Sequence, residues 1–265
     1  MDNKKVVVVT GASSGIGFEI ANLFLENGFS VYGLGQRELN NIGFNYSRVN
    51  LCELDECKAF VDMVLEKEGK IDVVVNNAGM GISGPIENTS IDEAKKLFDI
   101  NFFGAVNMIQ CVLPSMRERN SGRIINVSSV ASFVPIPFQV YYSASKSALD
   151  TFASGLRSEV KDFKIKVINV HPGDVKTNFT AVRKKTLLDE SNPYAKNCNS
   201  AISAMEKDEQ NGMAPIKVAK VVFKLSKKRI TKCRNIVGGK YKLMCFTLSL
   251  FNPKLKEAIV RKFYF

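Results

Sequence analysis

The sequence predicts an α/β protein, a single domain built on a doubly wound parallel sheet with helices on both faces. Three observations carry that expectation. Apolar runs of strand length recur at 6–9, 30–34, 47–51, 71–75, 123–127 and 164–170. These runs are continuous rather than alternating, the pattern of strands covered on both faces. Helical spacing fills the intervals, which gives right-handed strand–helix–strand units.

Four valines at 6–9 form the first strand, a run too short for a signal-peptide core or a membrane span. Residues 10–17 turn the chain into the first helix, and 30–34 is the second strand. The crossover at 36–46 contains Asn40, Asn41 and Gly43 and has room for at most a short helix before the third strand. Ser90-Ile91-Asp92-Glu93 is a capping box opening a helix through Ala94, Leu97 and Phe98. Residues 174–214 are long and polar with no strand pattern, and are expected to be a substrate-lid loop. Pro215 fits the first turn of a helix at 216–226. Residues 240–265 form a basic and apolar C-terminal extension. No repeat or linker divides the chain.

The 265 residues are 45% hydrophobic and 24% charged, as in soluble globular proteins. The net charge of +11 is confined to one end. Residues 216–265 hold fourteen Lys/Arg against Glu257 alone, leaving the rest of the chain at −2. This basic end fits three readings: a solvated surface, a contact with an anionic membrane, or attraction of an acidic ligand. No nucleic-acid-binding motif accompanies the charge. The six cysteines form no CxxC and no metal spacing, which points to a reducing cytoplasm and no bound metal.

Two constellations carry chemistry. Thr10-Gly11-Ala12-Ser13-Ser14-Gly15-Ile16-Gly17 follows the first strand and opens the first helix. Its glycines permit a tight turn and bring backbone amides close to a pyrophosphate at the helix N-terminus. Further on, Tyr142 and Lys146 stand four residues apart with Ser129 thirteen residues upstream. On a helix, positions i and i+4 share a face, so an ammonium lies beside a phenol. Together with a hydroxyl, they supply proton transfer to a carbonyl oxygen.

These motifs, with Asn76-Asn77-Ala78-Gly79, Asn101 and Pro172-Gly173-x-Val175-x-Thr177, occur in the order found in short-chain dehydrogenases/reductases. The chain resembles that family over about 4–177, and its tail more weakly resembles the 17β-hydroxysteroid-dehydrogenase-like branch. The resemblance implies a Rossmann-like NAD(P)-dependent oxidoreductase that forms a homodimer or homotetramer. It implies Tyr142 as acid in reduction and base in oxidation, with Lys146 lowering its pKa and holding the nicotinamide ribose. Ser129 would bond the substrate oxygen, and Asn101 would help order a water for proton relay. Ser128 and Tyr141 compete by adjacency, but helical register and the family spacing select Ser129 and Tyr142. Gly11, Ser13, Ser14, Gly15, Ile16 and Gly17 would cradle the pyrophosphate. Asn50, Leu51, Asn77, Ala78 and Gly79 would line the adenosine side, and Pro172, Gly173, Val175 and Thr177 the nicotinamide. His171, the only histidine, is expected to be structural.

Gly35 stands where NAD enzymes of this kind place an acid at the end of the second strand, and Arg37 follows. With no carboxylate to repel a 2′-phosphate and an arginine to pair with it, NADP(H) is favoured over NAD(H). An ordinary solvated Arg37 is the alternative. Residues 80–86 and 133–138 are apolar and suit either a hydrophobic substrate pocket or core and subunit packing. The expected substrate is a ketone or secondary alcohol on a bulky apolar molecule, a hydroxysteroid or bile acid first. A 3-oxoacyl thioester reductase is the enzymatic alternative, and a nicotinamide-binding sensor without turnover is the non-enzymatic one.

Overall fold

The computed structural model describes residues 4–39 and 42–264. Met1 to Asn3, Asn40, Asn41 and Phe265 lie outside the described residues. In chain order, the first half contains β1 (Val6–Thr10), α1 (Gly15–Glu26), β2 (Ser30–Gly35), β3 (Asn45–Arg48) and α2 (Leu54–Glu68). β4 (Val73–Asn76), β5 (Ile82–Ser83), α3 (Ile91–Phe98) and α4 (Gly104–Glu118) follow. The second half holds β6 (Gly122–Val127), α5 (Val140–Glu159), β7 (Ile165–Pro172), α6 (Phe179–Val182) and β8 (Lys184–Lys185). It ends with α7 (Ala195–Gln210), α8 (Pro215–Lys227), β9 (Arg234–Val237), α9 (Gly239–Ser249) and α10 (Pro253–Tyr264).

Seven strands make one parallel sheet in the order β3-β2-β1-β4-β6-β7-β9. The continuous apolar pattern of β1 is now explained by its two faces. Val6 and Val8 pack with α2, α4 and α5, while Val7 and Val9 pack with α1 and α8. All four are inaccessible to solvent. The capping box works as expected, since Ser90 Oγ accepts from the Glu93 amide at 3.2 Å. α3 and α4 are one long helix interrupted by a π turn at Asp99–Phe103, the kind of insertion that re-aims side chains near a site. The combined helix is long and apolar enough by composition to cross a membrane. Leu97, Met108, Ile109, Val112 and Met116 on it are fully buried, so core packing accounts for its apolarity.

Two expectations need correction, and one strand carries no signal in the sequence. The third strand runs over Asn45–Arg48 rather than 47–51; it is an edge strand with half-exposed residues, and the apolar Val49 and Leu51 are buried just beyond it. Residues 174–214 are not a structureless loop, because α6, β8 and the sixteen-residue α7 lie within them. α7 escapes detection because its buried residues are spaced small side chains, Ala195, Cys198 and Ala201, with Ile202 and Met205. β9, which completes the sheet, is a four-residue strand with a charged first position. The crossover at 36–44 has no helix among the described residues.

A row of asparagines crosses the sheet in register. Asn76 on β4 aligns with Asn126 on β6, and Asn126 with Asn169 on β7. Asn76 Nδ2 donates to Asn126 Oδ1 (2.9 Å), and Asn126 Nδ2 donates to Asn169 Oδ1 (3.0 Å). Asn169 Nδ2 donates to Asp150 Oδ1 on α5 (2.9 Å). The other Asp150 oxygen accepts from Ser132 Oγ (2.7 Å) and from His171 Nε2 (2.8 Å). His171 is therefore a buried partner of Asp150, the structural role expected of it.

Replacing Asn126 with Ala leaves the Asn76 amide and the Asn169 carbonyl without partners in a dry interior. Each orphaned group costs about 1–3 kcal/mol, so the variant is expected to lose about 2–6 kcal/mol in urea unfolding. A loss within error of zero would show that the row contributes nothing to stability.

Candidate functional site

The order of the strands fixes where a ligand enters. From β1 the chain builds outward through β2 and β3, then crosses to β4 and builds the other way. That reversal opens a crevice at the carboxyl ends of β1 and β4. A cleft of about 480 Å³ lies there, reaching from Arg37 at one end to Tyr142 and Phe179 at the other.

The glycine turn forms its floor. Gly11 and Gly15 take left-handed φ values of 65° and 57°, which any Cβ would strain. A Cβ on Gly17 would overlap the Gly11 carbonyl oxygen, so α1 packs against the turn only because that position is bare. Ser14 caps α1 without a side-chain bond, and the first turn carries no acid, so its amides suit an anion. Ser13, Ser14 and Ile16 line the same wall. The loop after β4 is tied to this turn: Thr10 Oγ1 accepts from the amides of Asn77 and Ala78 at 2.9 Å each. Asn77 Nδ2 donates to the Thr10 and Gly11 carbonyls. Gly79 completes that side.

At the β2 end, Arg37 is exposed, lines the cleft and has no ion pair among the described residues. Its carbonyl accepts from the Tyr46 hydroxyl at 2.9 Å. Asn50 Oδ1 accepts from Gln36 Nε2 and from the Cys52 amide, both at 3.2 Å. Leu51 is buried beside it. At the opposite end, Pro172, Gly173, Val175 and Thr177 follow β7 into the cleft. A Cβ on Gly15 would sit 3.3 Å from Thr177, so the two walls approach closely. A Cβ on Gly173 would overlap the Tyr241 ring, and the Tyr241 hydroxyl bonds Asp174. The C-terminal extension thus closes against this wall. The bare glycine floor, the open helix terminus and the long cleft fit a dinucleotide.

Tyr142 and Lys146 occupy one face of α5, with the ammonium 5.9 Å from the phenol ring centre. Ser129 caps the short turn Val130–Ser132, where its Oγ accepts from the Ala131 amide (3.1 Å), and it lines the same cleft as Tyr142. Ser128 instead directs its hydroxyl to the Lys146 carbonyl (3.4 Å). Asn101 lies in the π turn. Its Oδ1 accepts from the Met80 amide (2.8 Å), and its Nδ2 donates to Met80 O (3.0 Å) and Ser145 Oγ (3.1 Å). The side chain joins the loop after β4 to α5.

Burial, rather than Lys146, dominates the phenol. It pushes Tyr142 up to about 12, opposed by the Ser129 hydrogen bond and the Arg183 guanidinium. Burial also lowers Lys146 to about 8, against the pull of Asp150. The lysine reaches the Val127 carbonyl at 3.0 Å. The expected depression of Tyr142 by Lys146 is therefore absent in the protein alone. Other groups at the site were not singled out in the sequence. Asp150 lies one turn beyond Lys146, so helical spacing alone could have found it. Phe179, 5.8 Å from the Tyr142 ring, and the buried Arg183–Glu209 ion pair arrive from α6 and α7 through tertiary folding and leave no local signal.

Comparison with known proteins agrees with this geometry. A family model described as short chain dehydrogenase matches residues 5–187. The chain is 37% identical over 240 residues to a 3-ketodihydrosphingosine reductase of Bacteroides thetaiotaomicron, covering 88% of each protein. It is 33% identical to a probable short-chain type dehydrogenase/reductase of Helicobacter pylori, covering 97% of this chain and 96% of that one. Among solved structures, a short-chain dehydrogenase from Streptomyces avermitilis superimposes with a TM-score of 0.81 at 30% identity, covering 94% of this chain and 93% of that one.

The lowered pKa of Lys146 has a consequence for stability. Below about 8 the folded protein holds a buried charge that the unfolded chain, with lysine at 10.5, carries in water. The unfolded state binds more protons between those values, so this group's penalty fades as pH rises through them. The penalty is about 3 kcal/mol at neutral pH, offset by about 1 kcal/mol for the Val127 hydrogen bond. Lys146→Met is expected to unfold about 2 kcal/mol later than the parent at pH 7, with the gap narrowing from pH 8 upward. Equal stability at pH 7 would contradict a buried ammonium.

Proposed function

The chain belongs to the short-chain dehydrogenase/reductase family and is an NAD(P)-dependent oxidoreductase, and from that premise we propose hydride transfer between NADP(H) and a ketone or secondary alcohol on a bulky apolar lipid. The nicotinamide supplies the hydride. Reduction leaves negative charge on the carbonyl oxygen, where a donor and a proton are needed together. Ser129 donates a hydrogen bond to that oxygen, and Tyr142 delivers the proton. Burial keeps the phenol protonated at neutral pH, which suits the reducing direction. Lys146 holds the nicotinamide ribose, and Asn101 positions α5 against the loop after β4. The glycine turn holds the pyrophosphate, Asn50, Leu51, Asn77, Ala78 and Gly79 the adenosine side, and Pro172 to Thr177 the nicotinamide. The observation that carries this reading is the gathering of Ser129, Tyr142 and Lys146 in the same cleft as the glycine cradle.

NADP(H) is favoured because no carboxylate occupies the β2 end and Arg37 is free to pair a 2′-phosphate. For the substrate, the name of the Bacteroides relative favours a long-chain 3-keto base. Met80, Ile136 and Phe179 give the cleft the apolar lining that a long hydrocarbon chain needs. A hydroxysteroid or bile acid remains the second reading on that apolar lining. Residues 174–214 act as the lid. The enzyme is a cytoplasmic homodimer or homotetramer with free cysteines, and exposed Leu243, Phe246 and Leu250 among the lysines of α9 give it a peripheral membrane contact.

Tyr142→Phe is expected to reduce turnover by about 10²–10⁴-fold while NADPH binding, followed by fluorescence, is unchanged. Retained turnover would remove the phenol from the mechanism, and would favour a sensor if the biological activity also survived. Arg37→Ala is expected to weaken NADPH by about tenfold or more and leave NADH unaffected, since a charged hydrogen bond contributes about 1.5–3 kcal/mol. A Cβ on Gly35 would come 2.7 Å from the Tyr46 hydroxyl, so Gly35→Asp paired with Tyr46→Phe should shift preference toward NADH. NADPH consumption with a long-chain 3-keto base, ketosteroids, oxo-bile acids and an acetoacetyl thioester separates the substrate classes. Turnover of the thioester alone would sink the lipid-ketone reading.

A further inference from the structure

A second cavity, larger than the cofactor cleft, lies at the other side of the sheet's end strand. It measures about 1280 Å³ and lies between the outer edge of the sheet at β9, helix α8 and the two C-terminal helices. Its wall toward the cofactor cleft is the loop at 133–137, and Ile136 lines both spaces. The volume exceeds the roughly 300–1,000 Å³ of most ligand pockets.

The lining has two parts. The floor is apolar, from Val221 and Leu225 on α8, Ile236 on β9, Cys245 and Leu248 on α9, and Val260 on α10. The rim is cationic, with seven lysine and arginine side chains against the single carboxylate of Glu257. Lys224 and Lys228 stand on the α8 side, Lys242 on α9, and Lys256 and Arg261 on α10. None of the seven is in an ion pair among the described residues. Such a concentration of unpaired like charge around an apolar space is self-repelling until an anion enters.

We propose that this cavity binds one molecule of an anionic amphiphile, its hydrocarbon chain on the α8–β9 floor and its phosphate or carboxylate head at the lysine rim. Charge complementarity selects this occupant over a second copy of the chain. A two-fold interface presents the same patch from both subunits and would set one cationic rim against another. Oligomers formed through other faces are unaffected.

The test is calorimetric titration of the full-length protein with decyl phosphate, decyl glucoside and inorganic phosphate, each below any micelle concentration. Decyl phosphate is expected to bind one-to-one, at least tenfold tighter than the glucoside or phosphate, and to weaken with added salt. Two variants address different halves of the cavity. Lys224→Glu with Lys228→Glu reverses part of the rim, and Val260→Trp fills the floor. Each should weaken decyl phosphate by tenfold or more while leaving NADPH affinity and thermal midpoint unchanged. Because the cofactor cleft is intact in both variants, undiminished binding would assign the amphiphile to that cleft and overturn the proposal. Equal affinity for the glucoside would overturn it as well. So would a concentration-dependent dimer, seen by light scattering, that the rim reversal abolishes.

Discussion

The position of α5 is the constraint on which the site depends, and a buried polar row fixes it. α5 carries Tyr142 and Lys146, yet an apolar helix face alone would let it slide along the sheet with little change in contact energy. Hydrogen bonds are directional and do not tolerate such a shift. The row from Asn76 through Asn126 and Asn169 ends on Asp150, one helical turn beyond Lys146. Asp150 also holds Ser132, three residues from Ser129, and His171, one residue before Pro172. One carboxylate thus locks the helix bearing the phenol, the turn bearing the hydroxyl and the strand leading to the nicotinamide side. Burial pushes that carboxylate up, but hydrogen bonds, first from His171, outweigh it and hold it below its usual value.

The same dryness that makes the row rigid governs the reacting groups. Lys146 is buried and Tyr142 half-buried at the cleft wall, and both are driven toward their neutral forms, one up and the other down. A lysine near 8 is a poor fixed charge but a group easily recharged by a nearby anion.

Much of this was legible in the sequence because it is local. The four valines of β1, the capping box at Ser90, Pro215 and the glycine turn each act within a few residues. The helical register that pairs Tyr142 with Lys146 is likewise short-range. What escaped is set at longer range. β3 eludes the pattern because its edge residues need no apolar side chains, whereas Val49 and Leu51 are buried in the core cluster with α2 and α4 rather than by strand pairing. β9 was missed because four residues beginning with Arg234 carry too little periodicity. α7 buries small residues that do not stand out as a stripe. The bonds of the Asn101 amide to Met80 and Ser145 leave no sequence signal either, since only the π turn and the fold bring those partners within reach.

The charge distribution now has a structural meaning. The first 215 residues are nearly neutral in sum and contain the whole cofactor cleft, so neither the sheet nor the cradle needs the basic end. The excess charge falls on α8, α9 and α10 and the segments between them, and seven of its side chains ring one apolar cavity. A merely solvating surface would spread its cations over convex ground, where repulsion is least. Gathering them around a hollow raises that repulsion, and an anion with an apolar tail relieves it while filling the floor. The wall at 133–137 separates this cavity from the cofactor cleft, with Ile136 lining both, so the basic end is packed beside the site without forming part of its floor.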